Sequence, residues 1–230
     1  MLQRGLPSSA LVAAALAVAA CSEAKAALSL YYFQQGIHVA DNGPGDDDPA
    51  IGSISNTESF YGPGSVVVTA HSNSPGDTSR GVLDVHTHVI NSSSQVYGLW
   101  VAVNDTDFTV GASPMLLTDH VSATMSGGAI GDGFNTQSYA DPLNGTYEGP
   151  FPTPFRGFSR TGLPTDSFGS DVSTFWTRGA GPYSLTNVMI TTFSGGAELD
   201  ISGTTSTPEP GAISLACLAL WTALLGRRRG

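Results

Sequence analysis

Val82-Leu83-Asp84-Val85-His86-Thr87-His88-Val89-Ile90 changes side-chain character with a period of two. In an extended chain, successive side chains point to opposite faces of a sheet. Leu83, Val85, Thr87 and Val89 therefore share one face, and Asp84, His86 and His88 share the other. That pattern specifies a strand with one face on a core and one in water. Similar runs occupy Leu28 to Phe33, Gly36 to Ala40, Ser65 to Ala70, Tyr97 to Val103, Val121 to Met125, Leu185 to Phe193 and Glu198 to Ser202. Turn chemistry separates them, in Asp41-Asn42-Gly43-Pro44-Gly45, Ser74-Pro75-Gly76-Asp77 and Asn144-Gly145. No long helical period is present. The reading is an all-β domain, an antiparallel β-sandwich or jelly roll. The stretch from Asn135 to Ser173, where Pro150, Pro152 and Pro154 alternate with other residues, reads as a long loop or edge region.

The chain has 230 residues, long enough for one domain with a single sizeable core once processing segments are set aside. Its 28 Gly and 14 Pro suit turns and strands rather than helices. The net charge is -10, and between Ala27 and Thr207 the cations are Arg80, Arg156, Arg160 and Arg178. So few cations release few counterions from a phosphate backbone, which argues against nucleic acid as a partner. The acidity suits a soluble exported domain. Cys21 and Cys217 both fall outside the domain, which leaves it without a disulfide, a cysteine nucleophile or a thiolate metal site.

The two ends carry addresses. Residues 1–26 read as a secretory signal peptide: a basic start at Arg4, an apolar run from Ala10 to Ala20, and the small-x-small site Ala24-Lys25-Ala26, with cleavage between Ala26 and Ala27. An alternative is Val18-Ala19-Ala20-Cys21, which resembles a bacterial lipobox with Cys21 as the acylated terminus. At the other end, Pro208-Glu209-Pro210 precedes an uncharged apolar segment from Gly211 to Gly226 and then Arg227-Arg228-Arg229. This reads as a short transmembrane helix whose arginines stay cytoplasmic and whose upstream domain faces outward. The chain thus divides into a signal peptide (1–26), an exported β-rich domain (27–205) and a sorting tail (206–230).

Pro-Glu-Pro, apolar helix and arginine cluster, in that order, resemble the PEP-CTERM sorting signal of Gram-negative bacteria. Two internal stretches, from Asp41 to Gly52 and from Gly181 to Thr186, resemble segments of other precursors of that kind. The resemblance implies export through the secretory machinery and signal peptidase, transient anchoring in the inner membrane, and processing by an exosortase at or near Pro208-Glu209-Pro210. It implies a destination at the cell surface or in the extracellular matrix of bacteria that make exopolysaccharide and biofilm. The tail marks an address and not an activity.

Several side-chain groups could carry chemistry in the exported domain. Asp41, Asp46, Asp47 and Asp48 lie in one Gly/Pro loop, and a hard cation such as calcium takes several oxygens from such a loop, although EF-hand spacing is absent. Asp84, His86 and His88 could serve zinc, or simply form the solvated face of their strand. No Gly-x-Ser-x-Gly elbow or phosphate-binding loop is present, so the reading is not an enzyme. Among the aromatic residues, Trp100 within Leu99-Trp100-Val101 reads as buried, and Phe151 to Phe158 as the more exposed stacking faces for sugars. The expected function is a structural or exopolysaccharide-associated surface protein. A calcium- or carbohydrate-binding module is the first alternative and a secreted hydrolase the second.

Overall fold

A computed structural model describes residues 27–207 except 61–63, 75, 77–79, 112 and 147–148. Ala26, Pro208, Glu209, Pro210, Arg227, Arg228 and Arg229 lie outside the described residues, as do the expected signal peptide and transmembrane helix. In chain order the strands are β1 (Ser29–Tyr32), β2 (Ile37–Ala40), β3 (Ser53–Phe60), β4 (Gly64–Ser72), β5 (Gly81–Asn91), β6 (Tyr97–Phe108) and β7 (Met115–Ser126). They continue with β8 (Gly133–Asp141), β9 (Phe151–Pro152), β10 (Arg156–Ser159), β11 (Thr165–Trp176), β12 (Tyr183–Phe193) and β13 (Glu198–Thr207).

The strands form two antiparallel sheets. One runs β10-β8-β12-β6-β1-β2, with β9 paired to β8, and the other runs β11-β7-β13-β5-β4-β3. The expected all-β, two-sheet architecture is what the chain adopts. Between the sheets lie Leu30, Leu83, Val101, Val103, Leu117, Leu185 and Leu199, all essentially inaccessible. Burying each such side chain contributes about 1.5–3 kcal/mol, and this must hold a disulfide-free domain together. Among the described residues, that core runs from Leu28 to Ile201.

The stretch from Asn135 to Ser173 is not a long loop. It contains most of β8, all of β9 and β10, and much of β11. These strands hide in sequence because their outward positions carry Ser, Asn, Gln, Asp and Gly in place of β-branched residues. β11 is also an edge strand, alternating exposed and half-buried along most of its length. A polar edge of that kind resists pairing with other chains. β3, Ser53-Ile54-Ser55-Asn56-Thr57-Glu58-Ser59-Phe60, escapes for the same reason. At the far end β13 continues to Thr207, beyond the expected boundary at 205. Thr207 is fully buried, and its hydroxyl meets Tyr183 Oη at 2.9 Å and accepts from the Gly81 amide at 3.1 Å.

Buried polar groups join the sheets. Tyr32 Oη donates to Asn56 Oδ1 at 2.8 Å, and Ser138 Oγ meets Thr205 Oγ1 at 2.6 Å. Arg156 of β10 reaches across to the Asp119 carboxylate of β7 and donates to the Ser170 carbonyl of β11. Arg160 donates to the Met125 carbonyl at 3.0 Å. Two of the domain's few cations are thus structural, which further reduces its capacity for polyanions.

Candidate functional site

The sequence-derived cation candidates occupy the connection from β2 to β3. Asp46 Oδ1 accepts from the amides of Asp48 and Ser55, and Asp46 Oδ2 accepts from Asn42 N. Asp41 Oδ2 accepts from Gly52 N, and Asp48 Oδ1 from Ala50 N. Asp47 is exposed. Asp41, Asp46 and Asp48 therefore serve as turn-forming acceptors, each bonded to nearby backbone. Among the described residues, no group of three or more His, Cys, Asp or Glu side chains is gathered closely enough to hold a metal ion.

Asp48 also accepts from Ser53 Oγ at 2.5 Å, which holds its carboxyl below the usual range, and the same Oγ lies 2.8 Å from His71 Nδ1. The hydroxyl stands between acid and imidazole. A nucleophilic triad places histidine in the middle, where it can draw the proton from serine. This order does not activate Ser53.

Asp84, His86 and His88 stand on the outer face of the six-stranded sheet, as the alternation requires. Register places Asp84 beside Thr204, His86 beside Ser202 and His88 beside Asp200. His86 Nε2 lies 3.1 Å from Asp200 Oδ1, and His88 Nδ1 lies 3.4 Å from Asp200 Oδ2. The row from Ser53 through His71, Asp84, Thr204 and His120 to Asp171 crosses the whole sheet. This face is a mosaic of hydroxyls, imidazoles and carboxylates.

The outer face of the seven-stranded sheet has the opposite chemistry. The inward parity of β6 is set by Leu99, Val101 and Val103, so Trp100, Ala102 and Asn104 point outward. Trp100 is half-buried on that face and not in the core, a correction to the reading of Leu99-Trp100-Val101. It belongs to a continuous ring cluster: Phe33 and Trp100 centroids are 4.6 Å apart, Tyr31 and Phe33 are 6.1 Å apart, and Tyr31 stacks on His38 at 4.5 Å. The expected Pro-rich aromatic site is dispersed, with Phe151 and Phe158 packed against the core and Phe155 exposed.

Beside the rings lies a floor of small side chains. Ala102 and Asn104 of β6 pair with Val188 and Thr186 of β12, all at most 4% exposed although none belongs to the inter-sheet core. Across the floor, β12 pairs with β8, placing Gln137 beside Val188 and Tyr139 beside Thr186. Tyr139 Oη donates to Gln137 Oε1 at 2.8 Å, fixing that side. Asn104 Nδ2 donates to Thr186 Oγ1 at 2.8 Å, while Asn104 Oδ1 and Trp100 Nε1 have no hydrogen-bond partner among the described residues. The face thus combines aromatic surface, a small-residue floor, fixed amides and two unmatched polar atoms.

No family model and no curated protein matches the chain. Among solved structures it is similar to TmCBM61 in complex with β-1,4-galactotriose, with 10% identity over 65% of this chain and 90% of that one, at a TM-score of 0.32. It is also similar to the CBM22-1–GH10 modules of Clostridium thermocellum xylanase 10B complexed with xylohexaose. That match has 15% identity over 54% of this chain and 22% of that one, at a TM-score of 0.24. Likeness this distant carries nothing about ligands.

The two carboxylates that burial pushes upward lie away from both outer faces. Burial pushes the Asp105 carboxyl up to about 6. Burial also raises Asp119, against the pull of Arg156. Both are almost fully inaccessible, Asp105 at 0% and Asp119 at 1%. A general acid must reach the proton acceptor of its substrate, and neither is placed to do so.

Proposed function

We propose that this chain is an exported cell-surface protein that holds extracellular polysaccharide on the outer face of its seven-stranded sheet. The observation that carries the reading is the ring cluster of Tyr31, Phe33 and Trp100 beside the Ala102–Val188 floor and the Gln137–Tyr139 pair. Sugar rings offer apolar C–H faces and a rim of hydroxyls. Binding sites for such ligands combine aromatic surface with a few fixed polar groups. Asn104 Oδ1 is an acceptor and Trp100 Nε1 a donor, each able to gain a hydrogen bond from a hydroxyl-rich ligand when the neighbouring rings part. Export by the signal peptide, and exosortase processing at Pro208-Glu209-Pro210, would bring this face to exopolysaccharide outside the cell.

The test is binding of residues 27–207 to the host's own exopolysaccharide, measured by calorimetry. Saturable binding that Trp100→Ala weakens roughly thirtyfold, about 2 kcal/mol for an aromatic anchor, supports the reading. Equal binding by both proteins defeats it. For the sorting step, alanines in place of Pro208-Glu209-Pro210 should leave the tail uncleaved in an exosortase-bearing host, and normal processing would contradict it.

A further inference from the structure

Asp105 is a charge that the fold leaves incompletely answered. It continues the inward parity of Val101 and Val103, is 0% exposed, and lies where β1 meets β6. Its Oδ1 accepts from the Thr106 amide at 2.8 Å. The Ser72 side chain and the Ala27 backbone amide lie near enough to favour its charged form, yet Oδ2 closes no hydrogen bond. Asp107, the neighbouring charge that bears on it, is negative and opposes ionisation. Among the described residues, no cation is among the groups that set its charge.

Register explains why Ala27 is at hand. Ser29 pairs with Asn104, so the residues before Ser29 run antiparallel along Asp105 and Thr106. Ala27 is also the residue that the small-x-small site Ala24-Lys25-Ala26 would make the first of the processed chain. In that cleavage the Ala26–Ala27 C–N bond breaks. Water gives its hydroxyl to the departing Ala26 carboxyl and a proton to the Ala27 nitrogen, which takes up another from solvent at neutral pH. One backbone N–H becomes an ammonium with three donors and a positive charge.

We infer that Asp105 is the receptor for the amino terminus created by export: the Ala27 ammonium pairs with the buried carboxylate and clamps β1 onto β6 in the processed protein. This rests on the export reading given above. The clamp forms only after the signal segment has left, so the exported chain differs from its precursor by an ion pair at the end of the sandwich. It also steadies β1, which carries Tyr31 of the ring cluster.

The sequence supplies a clean probe. Lys25 is the only lysine in the chain, so the processed protein has a single primary amine, the Ala27 α-amine, and its arginines do not react with acylating esters. The exported protein and its Asp105→Asn variant are purified from a Gram-negative host, their N-termini are read by mass spectrometry, and both are treated with an acetylating ester at pH 7. Pairing raises the amine's pKa above its usual value of about 8, so Asp105 protein should react about tenfold more slowly than the variant. Equal rates overturn the pair while leaving the export reading intact. A terminus at Cys21 or at another cleaved position overturns the pair and leaves export standing, whereas an uncleaved precursor overturns both. Should Asp105→Asn not fold, native protein acetylated in urea and refolded replaces it. Its melting temperature should fall by about 5 °C, and an unchanged value overturns the pair.

Discussion

The two outer faces come from the same backbone geometry and from strands of similar length, yet they carry opposite chemistry. On the six-stranded sheet, the outward positions of β5 and β13 are Asp84, His86, His88, Asp200, Ser202 and Thr204. On the seven-stranded sheet, the corresponding positions of β1, β6 and β12 are Tyr31, Trp100, Ala102, Val188 and Ile190. Solubility alone is served by the first composition. The second sets half-buried rings beside a floor at most 4% exposed, on a face turned away from the inter-sheet core. The proposed function uses this difference, placing polysaccharide on one side of the sandwich.

The largest expected effect breaks the comparison by separating the sheets. Asp119→Ala leaves Arg156 buried without its carboxylate and should cost about 3–5 kcal/mol, read as a lowered urea midpoint, with binding lost only as the fold is lost. Next is Asp105. Burial raises its folded-state pKa to about 6 from an unfolded value of 3.8, so the fold favours the protonated form. In a chain that retains residues before Ala27, stability is therefore fully present below the unfolded pKa and falls as pH rises through 6, by about 3 kcal/mol. Denaturation at pH 4 and pH 7 should show the loss, and Asp105→Asn should flatten it.

A smaller effect sharpens the contrast. Tyr31→Ala opens the ring cluster between His38 and Phe33 and should weaken polysaccharide binding roughly tenfold by titration, with less effect than Trp100→Ala. Smallest of all, His88→Ala on the other face removes exposed contacts to Asp200 and Glu198. It should change stability by less than about 0.5 kcal/mol and leave binding unaltered.

The strands most legible in sequence are those with a strictly amphipathic pattern, such as β5 with its Leu83/Val85/Val89 and Asp84/His86/His88 sets. β8 and β11 escape because hydroxyls, amides and glycines fill their outward positions, and their pairing is decided by neighbours that local propensity does not see. Trp100 is misplaced for a related reason. When a strand is apolar on both faces the alternation disappears, and Leu99-Trp100-Val101 looks uniformly buried. The proposed binding face is therefore concealed in sequence by its own apolar character. Arg156 and Arg160 show the same limit from the other side, since nothing local marks a surface-type cation as buried between sheets.

Which face the polysaccharide covers can be read directly. Amide hydrogen exchange of residues 27–207, with and without saturating exopolysaccharide, reads both faces in one experiment. Binding on the seven-stranded sheet gives new protection at β1, β6, β12 and β8, with β5, β13 and β7 unchanged. Protection confined to β5, β13 and β7 would contradict it.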